Sequence, residues 1–261
     1  MMSVRAKKSL GQHFLIDLNI ARKIAESLEG GSADQPVTAL EVGCGMGVLT
    51  QFLLQRDDLV TWGAEIDKES VEYLHEHFPE FTPRLIGGDF LKMNLREQFP
   101  NGVSIIGNYP YNISSQIFFK VVENRDLVPE CVGMIQREVA VRMAEPPGSK
   151  EYGILSVLLQ AWYDIEYLFT VNEKVFNPPP KVKSAVIRMR RNGVESLGCN
   201  EQLFVKVVKA SFGQRRKMLR NSLRSAFGDF GGAVHPFFTL RAERLSVAEF
   251  VELTNWVEGH L

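Results

Sequence analysis

Val37-Thr38-Ala39-Leu40-Glu41-Val42-Gly43-Cys44-Gly45-Met46-Gly47 is the stretch on which the fold turns. Its first six residues form a short apolar run, and Val48 to Leu54, after the glycines, is apolar at helical spacing. A strand, a glycine-rich turn and a helix make the unit in which main-chain N–H groups can approach a nucleotide closely. The third glycine falls at the fifth position of the turn and Val48 at the sixth, so the dinucleotide fingerprint G-x-G-x-x-G is not met. That disfavours a dehydrogenase. Glu41 stands two residues before the first glycine.

Downstream, Leu59 to Ile66 is the next apolar run. It carries Glu65 near its end, about 20 residues beyond the glycines, where a carboxylate can take both hydroxyls of a ribose. Arg84-Leu85-Ile86 reads as a third short strand, and Gly88-Asp89-Phe90 follows it. An Asp there can accept from an adenine amine, with Phe90 beside the ring. A lone carboxylate at such a place is ordinarily a helix cap or a solvated loop group. Here several polar sites recur in chain order, each at the C-terminal end of a strand, which points to one binding edge. The fourth run, Val103 to Gly107, leads into Asn108-Tyr109-Pro110-Tyr111. The amide oxygen of Asn108 and the carbonyl of Tyr109 can accept hydrogen bonds from an exocyclic NH2, and Tyr111 can stack on the base that bears it. Pro110 fixes φ and removes a donor, so the carbonyls are presented rigidly. Taken alone, the tetrapeptide would equally suit an ordinary strand-to-helix turn.

The ordered set resembles the S-adenosylmethionine-dependent amino-methyltransferases. Four further segments narrow the resemblance to the ribosomal RNA adenine dimethylase family. Lys8 to Leu15 (Lys-Ser-Leu-Gly-Gln-His-Phe-Leu) is similar to its entry segment, and Phe176 to Ser184 (Phe-Asn-Pro-Pro-Pro-Lys-Val-Lys-Ser) to its F-x-P-P-P-K-V-x-S. Phe212 to Leu223 resembles its F-x-Q-R-R-K-x-x-R-N-S-L, and Arg241 to Ser246 its closing R-A-E-x-L-S. Tyr109 stands where the family more often has Leu, and His13 where Asn is commoner.

The resemblance implies a Rossmann-like, S-adenosylmethionine-dependent methyltransferase sheet of α/β class, with a small all-helical C-terminal domain. Within the family it is strongest to the small-subunit, kasugamycin-sensitivity branch, which dimethylates two adjacent adenines near the 3′ end of 16S ribosomal RNA. The implied cofactor is S-adenosyl-L-methionine, held by His13, Leu15, Gly43, Gly45, Glu65, Asp89 and Asn108. The implied catalytic set is Asn108, Tyr109, Pro110 and Tyr111, with Phe176 as a second stacking ring. No metal is expected, because a sulfonium methyl is already activated and its leaving group is neutral.

Length and composition agree with this. A chain of 261 residues, 45% of them hydrophobic, can bury one good core and carry a smaller second domain. No apolar run is long enough to cross a membrane, and the first eight residues lack the apolar core of a signal peptide, so a cytoplasmic protein is expected. Cys44, Cys131 and Cys199 are far apart and odd in number, which argues against disulfides and zinc. His75 and His77, two apart on an expected helix, point in different directions and read as surface residues. Net charge is −1, but the signs are separated. Between Glu201 and Arg224 there are seven bases and one acid, and from Lys174 to Arg191 six bases and no acid. Such a chain can present a basic face to phosphate while near neutral overall. The expected partner is small-subunit ribosomal RNA in a pre-30S particle, bound by a monomer.

In organisation, residues 1–191 are expected to form the catalytic domain and 201–261 a helical RNA-binding domain. Asp17 to Glu29 reads as an amphipathic helix that lids the cofactor cleft. Ile165 to Thr170 and Ser184 to Met189 flank the triple proline and suggest an antiparallel hairpin at the sheet edge. Gln202–Phe212, Gln214–Phe227 and Val247–Val257 are helical by period. On the second of these, Arg215, Arg216, Lys217, Arg220 and Arg224 are expected to grip RNA backbone. Three other functions compete: a DNA adenine methyltransferase, which also uses an N-x-P-Y site; an erythromycin-resistance methylase acting on large-subunit RNA; and a non-catalytic RNA-binding assembly factor.

Overall fold

The structure, a computed structural model, describes residues 4–261. The chain divides into two compact units, Met1–Ala140 with Ile165–Arg191 and Val141–Asp164 with Asn192–Leu261. In chain order the first unit holds β1 (Phe14–Leu15), α1 (Leu18–Glu26), β2 (Val37–Val42), α2 (Thr50–Leu53), β3 (Leu59–Glu65), α3 (Lys68–His77), β4 (Leu85–Gly87), α4 (Leu95–Gln98), β5 (Ser104–Asn108), α5 (Ser114–Glu123) and β6 (Glu130–Gln136). There follow α6 (Arg137–Ala144), α7 (Ile154–Gln160), β7 (Tyr163–Val171), β8 (Phe176–Asn177) and β9 (Ser184–Arg191), then α8 (Glu201–Gly213), α9 (Leu219–Phe227) and α10 (Val247–Glu258).

Seven strands form one sheet in the order β4-β3-β2-β5-β6-β9-β7. The pairs from β4 to β6 are all parallel, and β9 runs antiparallel to β6 from Ser184 opposite Gln136 to Arg190 opposite Glu130. Leu40, Ile105, Ile106 and Val132 are fully buried, as expected of central strands covered on both faces. The order steps from β2 to β5 beside β3, and at such a switch point the carboxyl ends of the strands open a crevice. The two strands flanking the triple proline do become sheet neighbours, β7 at the edge and β9 inside it.

The helix at Asp17 is not a lid. Asp17 caps it by accepting from the N–H groups of Asn19 and Ile20, and Ala21, Ile24, Ala25 and Leu28 are buried in one cluster with Phe52, Leu53, Val132 and Met134. α1 therefore covers the sheet. Ile24→Ala would empty a core position at a cost of about 2–5 kcal/mol. Amphipathicity marks a buried stripe but not what the stripe covers.

Within the second unit, α8 packs against α7, α9 and α10. Residues 141–164, which sequence order places in the first domain, group here because Tyr152 and Phe212 meet edge to face and α7 packs on α8. The expected helix from Gln214 to Phe227 is broken. Gln214 ends α8, residues 215–217 form a turn in which the Lys217 N–H donates to the Gln214 carbonyl, and α9 begins only at Leu219. α10 keeps its expected place, with Ser246 and Glu249 forming a reciprocal capping box.

Candidate active site

A cavity of about 260 Å³ opens at the carboxyl ends of β2, β3, β4 and β5, and the segment Ser9–Phe14 closes its other side. Gly43, Gly45, Glu65, Asp89, Asn108 and His13 all lie on its wall, as do the residues from Tyr109 to Tyr111. Strand order thus brings together residues spread over about a hundred positions of sequence.

The glycine turn is shaped for close approach. Gly43 has φ +80° and an added Cβ would meet only the Asn108 carbonyl, at 3.8 Å, so a side chain there would be strained and would stand in the cleft. Gly45 (φ +54°) donates its N–H to Glu65 Oε2 at 2.8 Å, and Glu65 Oε1 accepts from the Asp67 N–H at 2.8 Å. Both carboxylate oxygens keep a further lone pair for a ligand. Burial pushes the Glu65 carboxyl up, against the two main-chain bonds that pull it down. Behind it, Glu41 is buried, accepts from Thr50 Oγ1 at 2.6 Å, and is pushed up to about 8 chiefly by desolvation. Asp89 caps a one-turn helix, accepting from the Leu91 N–H at 2.9 Å, and Phe90 beside it is buried.

At the end of β5, the Asn108 side-chain amide donates to the His13 carbonyl at 3.1 Å, which leaves its oxygen as the free acceptor. The Tyr109 ring points away from the cavity into the core, its hydroxyl donating to the Val132 carbonyl at 3.0 Å. Room for it comes from missing side chains: a Cβ on Gly133 would lie 2.1 Å from the ring, and one on Gly107 2.7 Å. With its ring in the core, Tyr109 can reach the cavity only through its backbone. The Tyr111 ring stacks against His13, centroids 5.4 Å apart at 29°, and its hydroxyl meets Ser184 Oγ at 2.5 Å. His13 Nδ1 in turn lies 2.8 Å from the Pro178 carbonyl. The entry segment, the Asn108 loop, the triple proline and the start of β9 are therefore one bonded network.

Two expected residues lie off this cavity. Leu15 lines a small neighbouring pocket with Glu41, Gly43 and Asn108. Phe176 is only 2% exposed, paired across β1·β8 with Leu15 in the core cluster, so its ring is a packing group and not a wall of the cavity. Two contacts are not visible in the sequence. Lys7 pairs with Asp67 and Glu69, and Gln12 Nε2 donates to Asp67 at 3.2 Å, tethering the entry segment to the start of α3. The two carboxylates raise the Lys7 ammonium.

The basic residues are divided in role. The Arg215 guanidinium donates to the carbonyls of Lys150 and Tyr152 within its own unit, and Arg224 pairs with Asp229 at 2.6 Å. Arg216, Lys217 and Arg220 are exposed on the surface. The stripe expected along the helix from Gln214 is thus replaced by an exposed turn and the first residues of α9, because that helix begins only at Leu219.

The ribosomal RNA adenine dimethylase family model matches residues 3–257. Ribosomal RNA small subunit methyltransferase A of Parabacteroides distasonis is 57% identical, over 100% of this chain and 97% of its own length. The protein of the same name from Bacteroides thetaiotaomicron is 58% identical over the same shares. Among solved structures, a dimethyladenosine transferase from Plasmodium falciparum superposes with TM-score 0.79 at 24% identity, covering 95% of this chain and 98% of that one. The 23S rRNA methyltransferase ErmE superposes with TM-score 0.65 at 24% identity, covering 92% and 99%. The donor set on the cavity wall fits S-adenosyl-L-methionine: a buried carboxylate at the end of β3 for two hydroxyls, a second after β4 for a ring amine, and glycines where the main chain must come close. Motif order, fold, cavity and a match over nearly the whole length agree, and the chain belongs to the ribosomal RNA adenine dimethylase family of S-adenosylmethionine-dependent methyltransferases.

Proposed function

We propose that this enzyme dimethylates N6 of two adjacent adenines near the 3′ end of 16S ribosomal RNA, in a pre-30S particle late in assembly, as a cytoplasmic monomer. The observation that carries this reading is the 57–58% identity, end to end, to relatives named for the small subunit. No helix among the described residues is long and apolar enough to cross a membrane. In this reading the sheet unit, residues 1–191 less the segment 141–164, performs the chemistry, and the helical unit containing 201–261 holds RNA.

S-adenosylmethionine supplies a methyl group already activated on a sulfonium, so the residues of the chain have to bind, orient and exclude water. Glu65 would take the ribose hydroxyls and Asp89 the adenine amine, with Phe90 against the ring. Gly43 and Gly45 let the main chain close on the cofactor, and His13 and Leu15 back it. The difficulty lies in the target, an adenine amine whose lone pair is delocalised into its ring. The Asn108 amide oxygen and the Tyr109 carbonyl accept from its N6–H bonds and favour a pyramidal nitrogen with the lone pair directed at the methyl. Positioning of this kind supplies up to roughly 7–11 kcal/mol of a barrier. Stacking on Tyr111, at about 1–3 kcal/mol, offsets part of the few kcal/mol needed to extract the base. Phe176 would join only if its segment left the core, so Tyr111, braced by His13 and Ser184, is the favoured stacking partner. Arg216, Lys217 and Arg220 are the proposed grip on RNA backbone, with Arg215 anchoring the turn to the segment at Tyr152 and Arg224 held by Asp229 at the end of α9.

Mapping of methylated adenines in ribosomal RNA from a strain lacking this gene tests the assignment. Two adjacent unmethylated adenines near the 3′ end of 16S RNA, restored by the gene, are expected. A change confined to 23S RNA would overturn it in favour of a large-subunit enzyme.

A further inference from the structure

Lys120, on α5, belongs to none of the motifs. Its neighbours Ile117 and Val121 are fully buried, while Lys120 itself is half-buried and reaches sideways to another loop. Its ammonium donates to the Leu91 carbonyl at 3.0 Å and to the Met93 carbonyl at 2.6 Å, and lies 5.6 Å from the centre of the Phe90 ring. Leu91 lies in the one-turn helix Phe90–Lys92 that Asp89 caps, and Met93 is the residue that closes its far end. Carbonyls at the end of a helical turn lack partners within it, and a cation is the group best suited to them. Leu91 is consequently held from both sides: its N–H donates to Asp89 Oδ1 at 2.9 Å and its carbonyl accepts from Lys120. Asp89, Phe90 and Leu91 all line the cofactor cavity, and Lys120 does not. Burial lowers the Lys120 ammonium, and the carboxylates of Glu123 and Asp89 oppose this.

We infer that Lys120 is a positioning residue for adenine selection: by capping the Phe90–Lys92 turn it fixes the direction of the Asp89 carboxylate. The inference rests on Asp89 receiving the adenine amine of the cofactor. It also gives α5 a second task. That helix starts just after Asn112, at the end of the loop that presents Asn108 to Tyr111. One rigid element therefore braces the cofactor's base through Lys120 and leads directly from the loop that holds the target base. A carboxylate on an unbraced turn would still bind the cofactor, but it would lose the direction needed to tell an amine from a carbonyl.

The experiment compares binding of S-adenosylhomocysteine with that of its hypoxanthine counterpart, in which the amine is replaced by a carbonyl oxygen. Calorimetry on the full chain gives both dissociation constants for the wild type, Asp89→Ala, Lys120→Met and the double variant. The wild type should prefer adenine by about tenfold or more, the scale of one hydrogen bond to a charged group. Each single variant should bring that preference to within about twofold of unity, and the double variant should resemble Asp89→Ala. If Asp89→Ala loses the preference while Lys120→Met keeps it, or if the two losses add, the role of Lys120 is overturned. Should Asp89→Ala itself keep the preference, the assignment of Asp89 fails, and with it the inference; that outcome is read from the single variant alone. Thermal melting identifies a Lys120→Met protein that does not fold, in which case Lys120→Leu, uncharged and without a donor, carries the same comparison.

Discussion

At the cofactor cavity, Asn108 donates to His13, Glu65 accepts from Gly45 and Asp67, and Tyr111 is held by His13 and Ser184. In the turn and first residues of α9, Arg216, Lys217 and Arg220 stand exposed. The two regions are built by opposite means, as the tasks proposed for them require. Aligning a lone pair with a methyl tolerates little error, so each group is fixed in advance by hydrogen bonds and stacking. Attraction to a phosphate backbone is long-ranged and forgiving of geometry, so cations on flexible stems serve it. Arg215 marks the boundary, a basic residue in the second region bonded in the manner of the first.

That contrast can be broken most forcefully at Asn108. Asn108→Ala should cut the single-turnover methylation rate by about 10²-fold or more, while cofactor affinity changes by less than about threefold. A rate loss below about tenfold, roughly 1.4 kcal/mol, would make Asn108 a turn residue only.

The next effect falls on binding. Glu65→Ala removes the acceptor for the ribose and also leaves the Gly45 and Asp67 N–H groups without their partner, so cofactor affinity should weaken by about 10–100-fold, read by calorimetry. Unchanged affinity would place the ribose elsewhere.

Glu41 sharpens the comparison through pH. Its carboxyl is raised from 4.5 to about 8 in the folded chain, so the native state holds a proton that the unfolded state gives up. The stability this contributes is complete below about pH 4.5 and is lost as pH rises toward 8. Glu41→Gln, which cannot ionise, should gain on the wild type across that window by more than about 1.4 kcal/mol, the equivalent of one pKa unit. Denaturant unfolding of the cofactor-free proteins at pH 5 and pH 8 measures it, and a constant difference would mean that Glu41 is ionised in the fold.

The smallest effects separate the basic residues from one another. Arg215→Ala should lower the melting temperature by about 2–4 °C and leave the salt dependence of RNA binding unchanged. Arg216→Ala with Lys217→Ala should keep the melting temperature and reduce the salt slope by about 0.7–0.9 for each phosphate no longer neutralised. The reverse pattern would make the exposed pair structural.

The sheet and its binding edge are legible in the sequence because polar groups that are ordinary one at a time recur in chain order at successive strand ends. Gly43, Glu65, Asp89 and Asn108 sit where strand order alone brings them together, and no detail of packing is needed to predict that. What does not read from sequence depends on tertiary packing. An apolar stripe shows that α1 is buried but not that it lies over the sheet, away from the cleft. Phe176 is aromatic beside a proline turn in either role, and only its neighbours place it in the core. The late start of α9, at Leu219 and not Gln214, lies in a segment of good helix formers, where propensity gives no sign of a turn. Lys120 is invisible in the sequence because its partners are carbonyls, which every residue possesses.

The pairing of β1 with β8, and of His13 with Pro178, sets an order on biosynthesis. Residues 9–14 leave the ribosome early and meet Asp67 and Asn108 soon after, yet the last partners that seat them emerge some 165 residues later, on the order of ten seconds or more at about 5–20 residues per second. Until then the glycine turn, Glu65, Asp89 and Asn108 can be in place while the entry segment lacks its last contacts. A nascent chain arrested before the triple proline would accordingly hold every residue of the cavity wall, with an entry segment still without its β8 and Pro178 contacts.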